Sequence, residues 1–157
     1  MQITLGNKGD YAVRAILDLA HAYGQGRRKA REIAEEMRIP RNYLSIILAE
    51  LVHAGLITAT AGKDGGYELA RRPTQISLLE VVEVVEGPVT LERCLLRGIP
   101  CGGNGYCAAH ETWSSAQEGL SKRLARTSFA RLAREDDLLR GTPAASARSS
   151  RRVLARR

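Results

Sequence analysis

REIAEEMRIPRNYLSIILAELVHAGLI, residues 31–57, holds two short amphipathic runs on either side of a proline. In the first, over 30–38, Ala30, Ile33, Ala34 and Met37 recur at the spacing of one helical face. Pro40 biases Ile39 away from helical backbone and closes that run. In the second, over about 41–54, Leu44, Ile47, Leu48 and Leu51 form another stripe, and Gly55 supplies a left-handed stop. Two short helices joined by a turn of about four residues match the helix-turn-helix arrangement. With the stripe turned inward, Arg41, Asn42, Tyr43, Ser45 and Ile46 are left on the outer side of the second helix.

The flanks extend this unit. Upstream, Val13, Ile16, Leu17 and Ala20, widened by Leu19 and Tyr23, predict a helix from Lys8 to about Tyr23, and the polar, glycine-bearing GQGRR at 24–28 reads as a break. Downstream, LITAT and YELA are β-biased runs around the glycine-rich AGKDGG, which predicts a β-hairpin. Three helices followed by a hairpin give a winged helix-turn-helix: mainly α with a small β-hairpin wing. Arg41 and Asn42 can make bidentate contacts to guanine and adenine edges, while Tyr43 or Ser45 can hold phosphate. Lys63, at the hairpin tip, has the charge to reach a groove or the DNA backbone. Each of these side chains singly is an ordinary solvated residue; their grouping at one helix N-terminus makes them a candidate DNA face.

Beyond the wing, Ser77 and Glu80 have the spacing of a capping box. They open a helix, apolar almost all round and so expected to be buried, that ends at Gly87-Pro88. Further on, Trp113, Ala116, Leu120 and Leu124 share one face of a long helix over about 109–126. That stripe either folds back on its own domain or meets a second copy of the chain, and a twofold pair suits two operator half-sites. Thr127 or Ser128 starts a short final helix containing Phe129 and Leu132. The expected organisation is a DNA-binding domain at 1–88, a ligand-binding loop at 89–110, a dimerisation helix region at 111–140 and a basic, disordered tail at 141–157.

The formal net charge of +7 is mostly tail: five of the 24 basic residues and none of the 17 acidic ones fall in 141–157, so only +2 belongs to the rest. An alkaline pI therefore does not by itself indicate nucleic-acid binding. At 157 residues the chain suits one core and an extension. No apolar run approaches the ~18 residues of a membrane span and the start lacks a secretory h-region, so a cytoplasmic protein is expected. No phosphate-cradling glycine motif, H-E-x-x-H or nucleophile-base pair suggests an enzyme.

All three cysteines lie in one stretch, CLLRGIPCGGNGYCAAH at 94–110, spaced Cys94-x6-Cys101-x5-Cys107-x2-His110. In a reducing compartment such a group reads as metal ligands or redox sensors rather than as disulfides. Thiolates suit zinc or iron-sulfur clusters, and these gaps are wider than the two-residue knuckles of a structural zinc site. The glycines at 98, 102, 103 and 105 let backbone N–H groups approach an inorganic core. Three cysteines leave a four-ligand shell one short. His110, one helical turn past Cys107, and Asp10, at the start of the first helix and brought across from a second chain, are candidates for the fourth position. His110 could equally sit at a helix start, and Asp10 could simply complement a helix dipole. A metal-free thiol switch is a further reading of the cysteines.

With KGDYAVRA at 8–15, the helix-turn-helix run at 31–57, GGY at 65–67 and three cysteines before a long helix, the chain resembles the IscR/NsrR/CymR family of bacterial winged-helix regulators over about residues 3–135. The resemblance implies homodimers on palindromic double-stranded operators and, with three cysteines, a 4Fe-4S or 2Fe-2S cluster sensing nitric oxide, iron, oxygen or redox state. Carried over by position, Cys94, Cys101 and Cys107 match the cluster ligands. His110 matches the histidine of iron-sulfur-biogenesis regulators, and Asp10 the partner-chain aspartate of nitric-oxide sensors. Lys8 and Tyr43 match as well. The first cysteine gap is one residue longer than in the biogenesis regulator, Ser45 replaces its base-reading glutamate and Ala61 its wing arginine, so the operator sequence does not transfer. The expected function is a transcription regulator, in the first instance a repressor, whose operator affinity follows the state of a cluster. A winged-helix regulator with a thiol or zinc site, and an iron-sulfur electron carrier or assembly partner, are the alternatives.

Overall fold

The apolar stripes fold into helices close to the expected bounds in a computed structural model that describes residues 5–88 and 108–141. Helix α1, Asn7–His21, is central, touching helices α2 (Ala30–Met37), α3 (Arg41–His53), α4 (Leu78–Glu86) and α6 (Phe129–Arg140). It ends two residues before Tyr23, ahead of Gly24 at φ +78°, a left-handed conformation that suits glycine. Its buried face is Ala12, Ala15, Ile16, Leu19 and Ala20, whereas Val13 and Leu17 are only partly covered. The face is thus turned by about one residue from the expected stripe. Alanines without long side chains allow α1 close approach to several neighbours at once.

Arg38 closes α2 in the left-handed region, φ 53°, Ile39 drops into the core, and Pro40 precedes the first residue of α3. Leu44, Ile47, Leu48 and Leu51 are buried as the periodicity requires, and Gly55 at φ +71° follows the helix. Strands β1 (Ile57–Thr60) and β2 (Gly66–Leu69) pair antiparallel with Ile57 opposite Leu69 and Thr60 opposite Gly66. The expected break at 24–28 does more than break. Arg28 exchanges both backbone hydrogen bonds with Tyr67, 2.9 and 2.8 Å, and so adds a third edge to the hairpin.

A 3-10 turn at Pro73–Gln75 leads to α4, where Ser77 Oγ accepts the Glu80 N–H at 3.2 Å. The reciprocal half of the capping box is replaced, because Glu80 Oε1 instead accepts from Arg71 Nη2 at 2.6 Å. Val81, Val82 and Val85 are buried. Helix α5 spans His110–Ala125. Ser128 caps α6 by accepting the Arg131 N–H at 3.3 Å, and α6 runs twelve residues, longer than expected. Phe129, with 0% exposure, and Ala133 enter the same core cluster as α1–α4. Backbone bonds from Leu78 N to Thr127 O (2.8 Å) and from Phe129 N to Ile76 O (3.0 Å) stitch this return to the start of α4. Arg140 to Glu36 (3.1 Å) and His21 to Asp136 (3.0 Å) bind the far end of α6 to α2 and α1. No described helix is long and apolar enough to cross a membrane.

Candidate nucleic-acid interface

Because four apolar residues of α3 are committed to the core, with Val52 packed against it, most of the other side chains of the helix point outward. Arg41, Asn42, Tyr43, Ser45 and Ile46 are all exposed, Tyr43 and Ile46 to 54% and 57%. The Ile46 side chain, left in solvent, suits a thymine methyl. Arg41 Nη2 donates to Glu35 Oε1 at 3.2 Å, and the same oxygen accepts from Arg31 Nε at 2.9 Å. The hydrogen bond from Arg31, then its charge and the weaker pull of Arg41, hold the Glu35 carboxyl below its ordinary 4.5. The Arg41 side chain nonetheless remains 66% exposed, with donors left for a base edge. Ser45 Oγ lies 3.2 Å from the Arg41 carbonyl and 3.0 Å from that of Asn42, so its proton is used within the helix. Its lone pairs then make it an acceptor for a base amino group.

Helix α1 supports this face. The Tyr43 ring tilts against that of Tyr11, centroids 6.0 Å apart, and the Arg14 guanidinium lies 5.1 Å from the centre of the Tyr11 ring. Arg14 also donates to the Met37 carbonyl at the end of α2 (2.9 Å) and pairs with Asp10. Lys8 Nζ meets Glu50 Oε1 of α3 at 2.8 Å. At the wing tip the exposed Lys63 has its carbonyl bonded by Lys29 Nζ at 3.0 Å. Sequence spacing identified the outward residues of α3 but not Tyr11, Arg14, Lys29 or Glu35, whose roles depend on partners in other elements. A lysine immediately before α2 and a tyrosine on α1 carry no local signal of such contacts.

Asp10, in the first turn of α1, is engaged by Arg14 Nε at 3.2 Å. Beside it, the Gly9 N–H donates to Glu86 Oε1 at 2.7 Å, capping a helix whose Gly6 offers no side chain. A Cβ at Gly6 or Gly9 would come within 2.6 or 2.8 Å of that carboxylate. His110 opens α5, with Nε2 at 3.4 Å from Ser114 Oγ. Cys94, Cys101 and Cys107 lie outside the described residues, and among those described no group of three or more His, Cys, Asp or Glu could hold a metal ion.

Similarity to known proteins accords with this geometry. The family model for Rrf2, described as iron-dependent transcriptional regulator, matches residues 5–135. The HTH-type transcriptional regulator IscR of Klebsiella pneumoniae strain 342 is 31% identical over 135 residues, covering 86% of this chain and 82% of that protein. Among solved structures, CymR, the global cysteine regulator of B. subtilis, superposes with a TM-score of 0.74 at 25% identity, covering 85% of this chain and 98% of CymR. T. potens IscR gives 0.72 at 26% identity over 87% and 90% of the two chains. These relatives are regulators rather than enzymes, and their winged-helix fold matches the helices and hairpin described above. The chain therefore belongs to the Rrf2 family of DNA-binding transcriptional regulators.

Proposed function

We propose that the protein is a homodimeric, cytoplasmic repressor that binds a palindromic operator and whose affinity follows an iron-sulfur cluster held by Cys94, Cys101 and Cys107. The observation that carries the DNA-reading part is the exposed group Arg41, Asn42, Tyr43, Ser45 and Ile46 at the N-terminal half of α3, beside a wing bearing Lys63. Bidentate donors, an acceptor hydroxyl and an apolar tip together supply base readout, while Lys8 and Lys63 supply phosphate attraction.

Dimerisation is supported by α5. Its stripe of Trp113, Ala116, Leu120 and Leu124 leaves Leu120 41% exposed, and none of its sixteen residues is buried. A second copy of the same helix covers such a face with matching chemistry. The proposed division of labour has 1–88 read DNA, 89–110 hold the cluster and 111–140 pair the subunits, with α6 returning to the reading domain and 141–157 as a basic tail.

The donor set fits a cluster: three soft sulfurs lie between Pro88 and His110, and a fourth ligand is available in His110 or in Asp10 of the partner subunit. His110 follows Cys107 closely, whereas Asp10 would have to leave Arg14 to ligate. A bound cluster would supply a redox- and nitric-oxide-reactive centre. Its influence would reach the reading head through Glu86, which ends α4 two residues before Pro88 and grips the start of α1 next to Lys8.

Anaerobic purification with iron, sulfide and zinc analysis tests the proposal. Brown protein with iron and sulfide, and a preference for one palindrome that changes when the cluster is removed, is the expected result. Stoichiometric zinc, or colourless protein with an intact operator preference, would replace the cluster with a zinc or thiol switch. Loss of the cluster in Cys101→Ala, and a changed spectrum in either His110→Ala or Asp10→Ala, would identify the shell.

A further inference from the structure

A two-stranded hairpin with four residues in each strand is marginal by itself, so its tip needs an external hold to meet DNA in a defined place. Here the chain entering α2 supplies one. Arg28 pairs with Tyr67 along β2, and Arg27 Nε reaches Glu68 Oε1 at 3.1 Å. Gly66, at φ +148°, makes room for that approach, since a Cβ there would lie 2.7 Å from the Arg28 carbonyl oxygen. The last residue of this strip is Lys29. Its backbone N–H donates to Glu32 Oε2 at 2.8 Å, anchoring it to the first turn of α2, while its ammonium donates 3.0 Å away to the carbonyl of Lys63.

From this pairing we propose that Lys29 is a positioning residue for operator binding: a strut from the first turn of α2 that sets where the wing presents Lys63 to the DNA backbone. The inference rests on the reading of Lys63 as a DNA contact. The strut fixes the backbone of the tip and leaves the Lys63 side chain exposed and free to meet a phosphate. One connection thereby ties the wing to the helix that packs against α3, so the recognition helix and the tip keep a common frame.

A double-mutant cycle on the full-length protein tests this, using a duplex enriched from a randomised pool by the wild-type protein. Lys63→Met should weaken binding roughly fivefold and lower the salt slope by about 0.9, as for one lost phosphate contact. Lys29→Met should reproduce about half or more of that loss, Lys29→Arg should restore it, and the double variant should bind no more weakly than Lys63→Met alone. Additive losses, with a further fall in salt slope, would make Lys29 an independent phosphate contact and overturn the proposal. A silent Lys29→Met beside a weakened Lys63→Met would overturn it while leaving the wing contact standing. A silent Lys63→Met would instead remove the wing contact on which it rests.

Discussion

Arg28→Met should expose how strongly the core around α1 depends on one ion pair. Asp18 is 4% exposed, and its two oxygens accept from Arg28 Nε at 2.9 Å and Nη2 at 3.1 Å. Removing one member of a fully buried pair costs roughly 3–5 kcal/mol, because a charge is left without a partner. Here the Arg28 side chain is 30% exposed, so water tempers the loss to about 2–3 kcal/mol. For a chain of this size that is a fall in Tm of roughly 4–12 °C. Urea unfolding followed by circular dichroism, at fixed protein concentration, measures it.

The hydrogen bond with Asp18, followed by its charge and those of Glu32 and Glu36, raises the Arg28 pKa above its ordinary value against the opposing effect of burial. The pair's contribution is fully present below that ordinary value and is lost only as pH rises through the raised one. The deficit of the variant should therefore be the same at about pH 6 and pH 9. Asp18→Ala/Arg28→Met, which leaves no orphaned charge, should recover at least about half of it. A single variant within about 0.5 kcal/mol of wild type, or a double variant less stable than the single, would refute the reasoning.

Phe129→Ala should cost about 3–5 kcal/mol and release α6 from the core, read as a lower urea midpoint and faster proteolysis beyond Ala125; unchanged protection there would contradict the packing. Gly66→Ala forces a side chain into a left-handed position against the Arg28 carbonyl and should destabilise by about 1–3 kcal/mol, with operator affinity falling in parallel. Glu35→Gln removes an acid that grips Arg41 and repels phosphate, so affinity for bulk duplex DNA should rise on the order of threefold at neutral pH. Since the carboxyl is held below its ordinary 4.5, the grip is present above that value and is lost only as pH falls through the lowered one. Wild type should accordingly approach the variant only in acid, and equal binding at pH 7 would argue against the grip.

Much of this molecule could be read along the chain. The stripes of α2 and α3, the stop at Gly55, the hairpin and the Ser77 cap all follow from interactions between residues a few positions apart, where helical and strand periodicities act. The outward face of α3 was legible for the same reason: once the stripe is assigned, the side chains at 41–43, 45 and 46 fall on the opposite side of the helix. Other features have no short-range cause. Gly9 meets Glu86 across 77 positions, His21 meets Asp136 across 115, and Arg140 meets Glu36 across 104.

The turned inner face of α1, the third hairpin edge at Arg28, the Tyr11–Tyr43 contact and the burial of Phe129 belong to that second group. Periodicity states which side of a helix is apolar. It is silent on which neighbour that side meets, how deeply small alanines let the two approach, and which distant polar groups then fall within bonding reach. Those choices come from the packing of all elements around one core, and the hold on the hairpin and the seating of α3 are their product.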